Sequence, residues 1–277
     1  MRVSPLTLIV LLVARTALAQ ERVEADEDKA RAQESAERVL ELARRYEFFA
    51  DPQRRSRLEL EAKSILSYSN PVEGEVYGNV YVWTDGGRPE VLGAIFDFRS
   101  ENRMDSEFHF LANATTVGYR DGKLFVDPEK AGVEFRPLPE APIPAATAPG
   151  RLRQMRELMR EFTVERDHPE QKREFMRPLT QPIYRYSSPA ADIVDGGIFV
   201  FVEGTDPEAF LLLEAAGKEE PRWRYAFARM NMVEFWGRHK GEVVWHVAPT
   251  DWNTVFEKHL PYAIVREQPR RGLERTR

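Results

Sequence analysis

Apolar and polar positions alternate along this chain in two distinct rhythms, and each rhythm occurs twice. From about Asp26 to Phe49, Ala32, Ala36, Val39, Leu40, Ala43 and Tyr46 recur at spacings of three and four. That spacing predicts one amphipathic helix, with Arg44 and Arg45 in its last turn and Asp51-Pro52 as its stop. Strand-like segments follow. Leu58 to Tyr68 is one, stopped by Ser69-Asn70-Pro71. In Glu75–Thr84 the valines and Gly78 share one face, and Tyr77, Asn79, Tyr81 and Trp83 share the other. Asp85-Gly86-Gly87 predicts a hairpin into Val91–Phe98, and Arg120-Asp121-Gly122 joins Glu107–Thr116 to Lys123–Val126.

The same order then recurs. Gly150 to Val164 carries Leu152, Met155, Leu158, Met159 and Phe162 at helical spacing. Gln181–Ser187, Gly197–Glu203, Ala209–Ala216, Trp223–Phe235 and Glu242–Val247 are the expected strands, with Asp195-Gly196-Gly197 and Lys240-Gly241 as turns.

The recurrence extends to identities. Sliding residues 30–96 by 118 positions onto 148–214 needs no gap and matches sixteen pairs. Chance at ordinary composition gives about four. Most matches are turns, strand ends and core positions: Gly86/Gly204, Pro89/Pro207, Pro71/Pro189, Ile65/Ile183 and Val82/Val200. Tyr68/Tyr186, Ser69/Ser187 and Glu90/Glu208 are the polar matches that bear on a site. The expectation is an α+β fold of two tandem units, each one helix followed by about five antiparallel strands, with their sheets merged or related by a pseudo-twofold. The units are expected at 20–136 and 150–265, joined by a linker at 137–149 that holds five prolines. The arginine-rich stretch 266–277 is expected to be a disordered tail.

The N-terminus changes the compartment. Arg2, the apolar run Pro5–Ala14 and Ala17-Leu18-Ala19 have the form of a secretory signal peptide cut after Ala19. The run is about half the length a bilayer needs, so no stable membrane insertion is expected after cleavage. The protein is thus expected in the periplasm or outside the cell. There are no cysteines, which excludes disulfides and a cysteine-borne lipid anchor. The formal charge of −5 becomes −7 without Arg2 and Arg15, giving no global attraction to nucleic acid.

Candidate chemistry is sparse. Glu107 and His109 are two apart on an expected strand, so they share a face where a carboxylate and an imidazole could act as general acid and base. The competing reading is a solvated polar face behind Phe108 and Phe110. Tyr68 and Tyr186, together with the aromatic and cationic stretch holding Trp223, Arg224, Trp236 and His239, are candidate binding residues for an anionic ligand or a sugar polymer. No nucleophile elbow, phosphate loop or metal-ligand spacing occurs, so neither metal nor cofactor is expected.

Three stretches carry a resemblance: Leu179–Tyr186 (LTQPIYRY), Asp195–Ala215 (DGGIFVFVEGTDPEAFLLLEA) and Trp223–Met230 (WRYAFARM). They resemble a group of signal-peptide-bearing bacterial proteins of unknown function, over roughly Ile65 to Val247. The resemblance implies an exported bacterial protein of about this length, and no activity. The leading expectation is a non-catalytic binding or structural protein of the cell envelope, its ligand or envelope partner unspecified. A cofactor-free hydrolase or isomerase and a carrier of an apolar ligand are the alternatives.

Overall fold

In the computed structural model the described residues are 26–70, 74–111, 115–167 and 173–267. The expected signal peptide, the leader up to residue 25 and the expected tail from 268 onward lie outside them. The first half contains helix α1 (26–43) and strands β1 (Tyr46–Phe49), β2 (Glu59–Leu60), β3 (Leu66–Ser69), β4 (Val76–Asp85), β5 (Arg88–Phe98), β6 (Arg103–Phe110), β7 (Val117–Arg120) and β8 (Lys123–Val126). After β9 (Arg136–Pro137) and α2 (Ala148–Met159), the second half contains β10 (Phe162–Arg166), β11 (Glu174–Phe175), β12 (Arg177–Pro178), β13 (Tyr184–Ser188), β14 (Ile193–Glu203), β15 (Asp206–Ala216), β16 (Arg222–Arg229), β17 (Phe235–His239), β18 (Glu242–Val247) and finally β19 (Tyr262–Arg266).

Each half builds one six-stranded antiparallel sheet and one smaller sheet. The first large sheet runs β19-β6-β5-β4-β2 with β3 also on β4; the second runs β12-β14-β15-β16-β9 with β13 also on β14. The pairings keep the 118-residue offset. Leu66 faces Val80 and Tyr184 faces Ile198; Gly78 faces Phe96 and Gly196 faces Glu214. Each hairpin carries a bulge at the equivalent place, after Trp83 and after Phe201.

The two large sheets are separate and pack face to face. Val80, Val82, Leu92 and Ala94 meet Ile198, Val200, Phe210 and Leu212 in one shared core. The opposite face of each sheet is covered by its own helix and small sheet. Tyr81, Trp83 and Phe108 pack under α1 and β1, while Phe199, Phe201 and Trp223 pack under α2 and β10. Strands with two apolar faces therefore read as near-continuous apolar runs, which is what burial on both sides demands.

The edges cross over. β9 follows the first unit but pairs with β16, and β19 ends the second unit but pairs with β6. The proline-rich stretch is therefore wall and strand as well as connection: Leu138 is buried and its N–H donates to Trp223 O, and Thr147 caps α2. Tyr262 and Ile264, expected in the second unit, sit in the first unit's sheet.

Several boundaries differ from the expectation for physical reasons. Tyr46–Phe49 leaves the helix and becomes β1, because its aromatics are buried by pairing with β7. Phe162 and Val164 likewise belong to β10 rather than to the second helix. Leu58–Tyr68 is two short strands laid end to end along β4. Trp223–Phe235 divides between two sheets, as β16 and β17. Asp195-Gly196-Gly197 is strand, not turn. A Cβ on Gly196 would lie 2.5 Å from the Tyr186 ring, and one on Gly78 would lie 2.1 Å from the Tyr68 ring. The matched tyrosines and glycines are thus cross-strand packing pairs.

Candidate functional site

Two places combine polar chemistry with contact between the halves: the layer between the large sheets, and a groove beside the crossover segment. The layer is reached by inward-facing residues at the sheet ends. Glu214 is fully buried and accepts from Tyr186 OH at 2.9 Å, from Arg224 Nε at 2.7 Å and from Arg88 Nε at 3.4 Å. Arg88 comes from the first half and Arg224 from the second, and both guanidiniums lie over the Phe135 ring. Charge and hydrogen bonding are both met at this junction.

The other junction is built differently. Glu107 accepts from Tyr262 OH at 2.8 Å. Burial pushes its carboxyl up to about 8, with Asp206 and Glu208 adding to the rise and Arg229 opposing it. Glu208 is pushed up to about 8 by burial as well, although Arg166 lies 2.9 Å away. Arg229 is buried, but its guanidinium donates to three carbonyls, those of Asn231, Val233 and Ala248. The cation that opposes the rise at Glu107 is therefore committed to backbone oxygens.

These observations correct the reading of a solvated polar face. The Glu107–His109 face points inward, against the second half, with Asp206, Glu208 and Arg229 acting on Glu107. Glu90 and Glu208 are buried as well, and burial pushes Glu90 up to about 7. The remaining polar match, Ser69/Ser187, is a reciprocal contact. Thr205 at one hairpin tip donates to Ser69 O at 2.5 Å, and at the other tip a Cβ on Gly87 would lie 3.0 Å from Ser187 O.

Glu107 and His109 share a face, yet each is otherwise engaged. His109 is buried, which pushes its pKa down to about 4, so the ring is neutral. Its Nε2 lies 3.0 Å from Gly132 O, an arrangement in which the N–H donates to the carbonyl. Gly132 itself is pressed so close to the chain that a Cβ would overlap Phe110 O. His109 thus pins the segment that becomes the wall of the groove.

That groove has a volume of about 660 Å³ and lies between Ala131–Arg136 and the edge strand β18, with Tyr225, Phe227 and Trp245 on its floor and sides. A second cavity of about 340 Å³ continues it along Pro137–Pro142 to His239 and Lys240, sharing Tyr225 and Val244. Arg136 spans the mouth and donates to Val244 O at 2.5 Å. Lys240 pairs with Glu140 at 3.0 Å, and His239 Nε2 lies 2.9 Å from Glu161. Aromatic surface with a few fixed charges is the usual lining of a ligand site.

The first half closes its corresponding edge. Beyond β8, Asp127 N–H donates to Lys258 O at 2.6 Å and Glu129 N–H to His259 O at 3.2 Å, so the segment leading into β19 is tied down by backbone hydrogen bonds.

The six expected binding residues do not converge. Tyr68 and Tyr186 are in the inter-sheet core, and Trp223 is buried under α2. Arg224 is half-buried and donates to Glu214 at the junction. Trp236 lies beneath the Arg173 guanidinium at 3.9 Å and stacks on His246. Only His239 lines the groove, in its second cavity. Tyr225, which lies in the aromatic and cationic stretch, also lines the groove; sequence reasoning missed Arg136 and Trp245, and the signal for Arg136 was the apolar and proline content of residues 131–142, which a mere linker does not need.

Among the described residues no group of three or more histidines and carboxylates is placed to hold a metal ion, and no helix is long and apolar enough to cross a membrane. No protein-family model matches this chain, and no curated protein or solved structure matches it either.

Proposed function

We propose that this is an exported, non-catalytic binding protein of the bacterial cell envelope, formed by duplication of one α+β unit, with its ligand site in the groove between residues 131–142 and β18. The observation that carries the reading is the difference between equivalent edges. One is closed by the chain's own backbone, and the other is left open over aromatic side chains. A narrow trough beside an edge strand suits an extended ligand, such as a short peptide or an oligosaccharide. The inward engagement of Glu107 and His109, neither of which lines this groove, supports binding over catalysis.

The test uses protein beginning at Gln20 and two defined probe sets, a library of unstructured dodecapeptides and a set of soluble oligosaccharides. A ligand from either set should slow amide exchange in residues 131–142 and 242–247. Trp245→Ala and Arg136→Ala should each weaken it by roughly tenfold, the usual loss for a central contact. Protection elsewhere, or none from either set, overturns the groove. N-terminal sequencing of the protein from a bacterial host checks export: a chain still beginning at Met1 in the cytoplasm contradicts it.

A further inference from the structure

β18 is the outermost strand of the second small sheet, with β17 along one side and no strand along the other. Residues 131–135 run past that free side, yet no backbone hydrogen bond joins them to β18. The groove of about 660 Å³ occupies the gap. An edge strand is a row of main-chain donors and acceptors to which an extended segment can add. One of its carbonyls faces the groove, since the Arg136 guanidinium reaches Val244 O. Val244 is the residue passed over where the register with β17 shifts. β8 passes over Phe125 at the same place against β7, so the two edges are built alike. Just past β8 the chain's own loop meets the main chain, through Lys258 O and His259 O. Among the described residues nothing does so for β18.

Both walls are preformed. Gly132 O is held by His109 Nε2 at 3.0 Å, and β18 is held by β17. A gap fixed in advance costs a ligand little reordering of the protein. The aromatic lining favours peptide over sugar. Trp245 stacks on Phe227 at 5.1 Å and on Phe235 at 6.0 Å, and Tyr225 packs on Phe162 at 5.0 Å. Rings stacked on one another offer a ligand edges more than free faces, and edges suit apolar side chains better than a flat sugar ring. The charged side chains at the rim are largely paired, Glu134 with Arg136 and Lys240 with Glu140. Main-chain groups are what the groove has left to offer.

Charge narrows the peptide further. Around the two cavities Glu134, Glu140, Glu161 and Glu242 stand against Arg136 and Lys240, four acids to two bases, a local charge of −2 with histidine neutral. Glu242, the first residue of β18, is exposed and has no ion-pair partner. Opposite charge laid along an edge fixes the register of an added strand and selects its sequence. We infer that the groove takes an extended peptide, about as long as the six residues of β18, apolar at alternate positions and net basic, which adds to β18 as a further strand. The inference rests on the groove being the ligand site, and narrows its ligand from two classes to one.

The experiment passes a library of unstructured dodecapeptides over protein beginning at Gln20, with soluble oligosaccharides as the competing probe. Retained peptides should be enriched in lysine and arginine and should alternate apolar with polar residues. The tightest is then made with N-methyl groups on alternate amides, in each of the two phases. One phase should lose at least about tenfold in affinity and the other little, because alternate amides of an added strand face the protein. Glu242→Lys should weaken the unmethylated peptide about fivefold at low salt, and the loss should shrink at about 0.5 M salt. Equal tolerance of both methylated phases overturns strand addition. Retained peptides without basic enrichment, or unchanged binding to Glu242→Lys, overturn the charge assignment. Slowed amide exchange in 131–142 and 242–247 with an oligosaccharide, and no peptide retained, overturns this inference but leaves the groove as a ligand site; protection by neither probe removes both.

Discussion

Glu214 and Glu107 occupy the same layer between the same two sheets, yet they are held in opposite ways. Glu214 has two arginines and a tyrosine on its oxygens. Glu107 has one tyrosine, and the arginine that opposes its rise is spent on carbonyls. At the 118-residue offset Glu214 corresponds to Phe96, which meets Tyr68 edge-on instead; Glu107 corresponds, one residue further on, to Ala226. Both halves therefore hold a polar element in the layer but by different means: charge compensation at one end, and a carboxyl pushed up by burial at the other. The difference teaches that a matched fold does not fix where a buried carboxylate sits, only that its cost must be met.

The strongest way to break this comparison is to remove the compensated carboxylate. Glu214→Leu leaves Arg88 and Arg224 facing each other across Phe135, and should cost about 3 kcal/mol or more in urea unfolding. Glu107→Leu should cost far less below neutral pH, because a protonated carboxyl is close to neutral already. Equal losses would mean that the two junctions are alike after all.

Next in size are the tyrosine–glycine pairs, which the halves share. Gly78→Ala and Gly196→Ala each drive a methyl into a buried ring, and each should destabilise by about 2 kcal/mol. A large loss at one site and none at the other, in calorimetric melting, would show that the packing pairs are not equivalent.

Smaller again is the pH dependence at the Glu107 junction. Glu107 and Glu208 are both raised to about 8 from 4.5. Between those values the folded chain holds more protons than the unfolded chain, so their contribution is complete below about pH 4.5 and falls as pH rises to about 8. Glu107→Gln should flatten the decline in melting temperature over that window. A decline that Glu107→Gln leaves unaltered would remove Glu107 from the account. The smallest effect belongs to Tyr262→Phe, which deletes the one hydrogen bond to Glu107 and should cost about 1 kcal/mol.

The sequence made the local features plain and left the distant ones hidden. Gly86 and Gly87 turn with positive φ, as Asp85-Gly86-Gly87 predicted, and Lys123–Val126 is a strand with those ends. Helix ends were misplaced because Tyr46–Phe49 and Phe162–Val164 continue an apolar pattern that suits either period over so few residues. The crossing of β9 and β19 was invisible, since a strand's alternation says which faces are buried but not which neighbour it bonds. The same limit hid the site. Glu107 and His109 were visible as one face, but whether that face met water depended on a second sheet more than a hundred residues away. Arg136, Tyr225 and Trp245 come together only because β9 crosses.

The exchange of edge strands also sets a schedule. Tyr262 bonds Glu107 across 155 residues of chain, and β19 is the last strand of the described fold. The first sheet cannot be completed until nearly the whole polypeptide is available, so an early half-molecule exposes the unpaired edge of β6 and part of the inter-sheet core. Contacts of that sequence separation slow folding and prolong the time during which association with other chains competes. The first sheet therefore locks only once the final strand has been made.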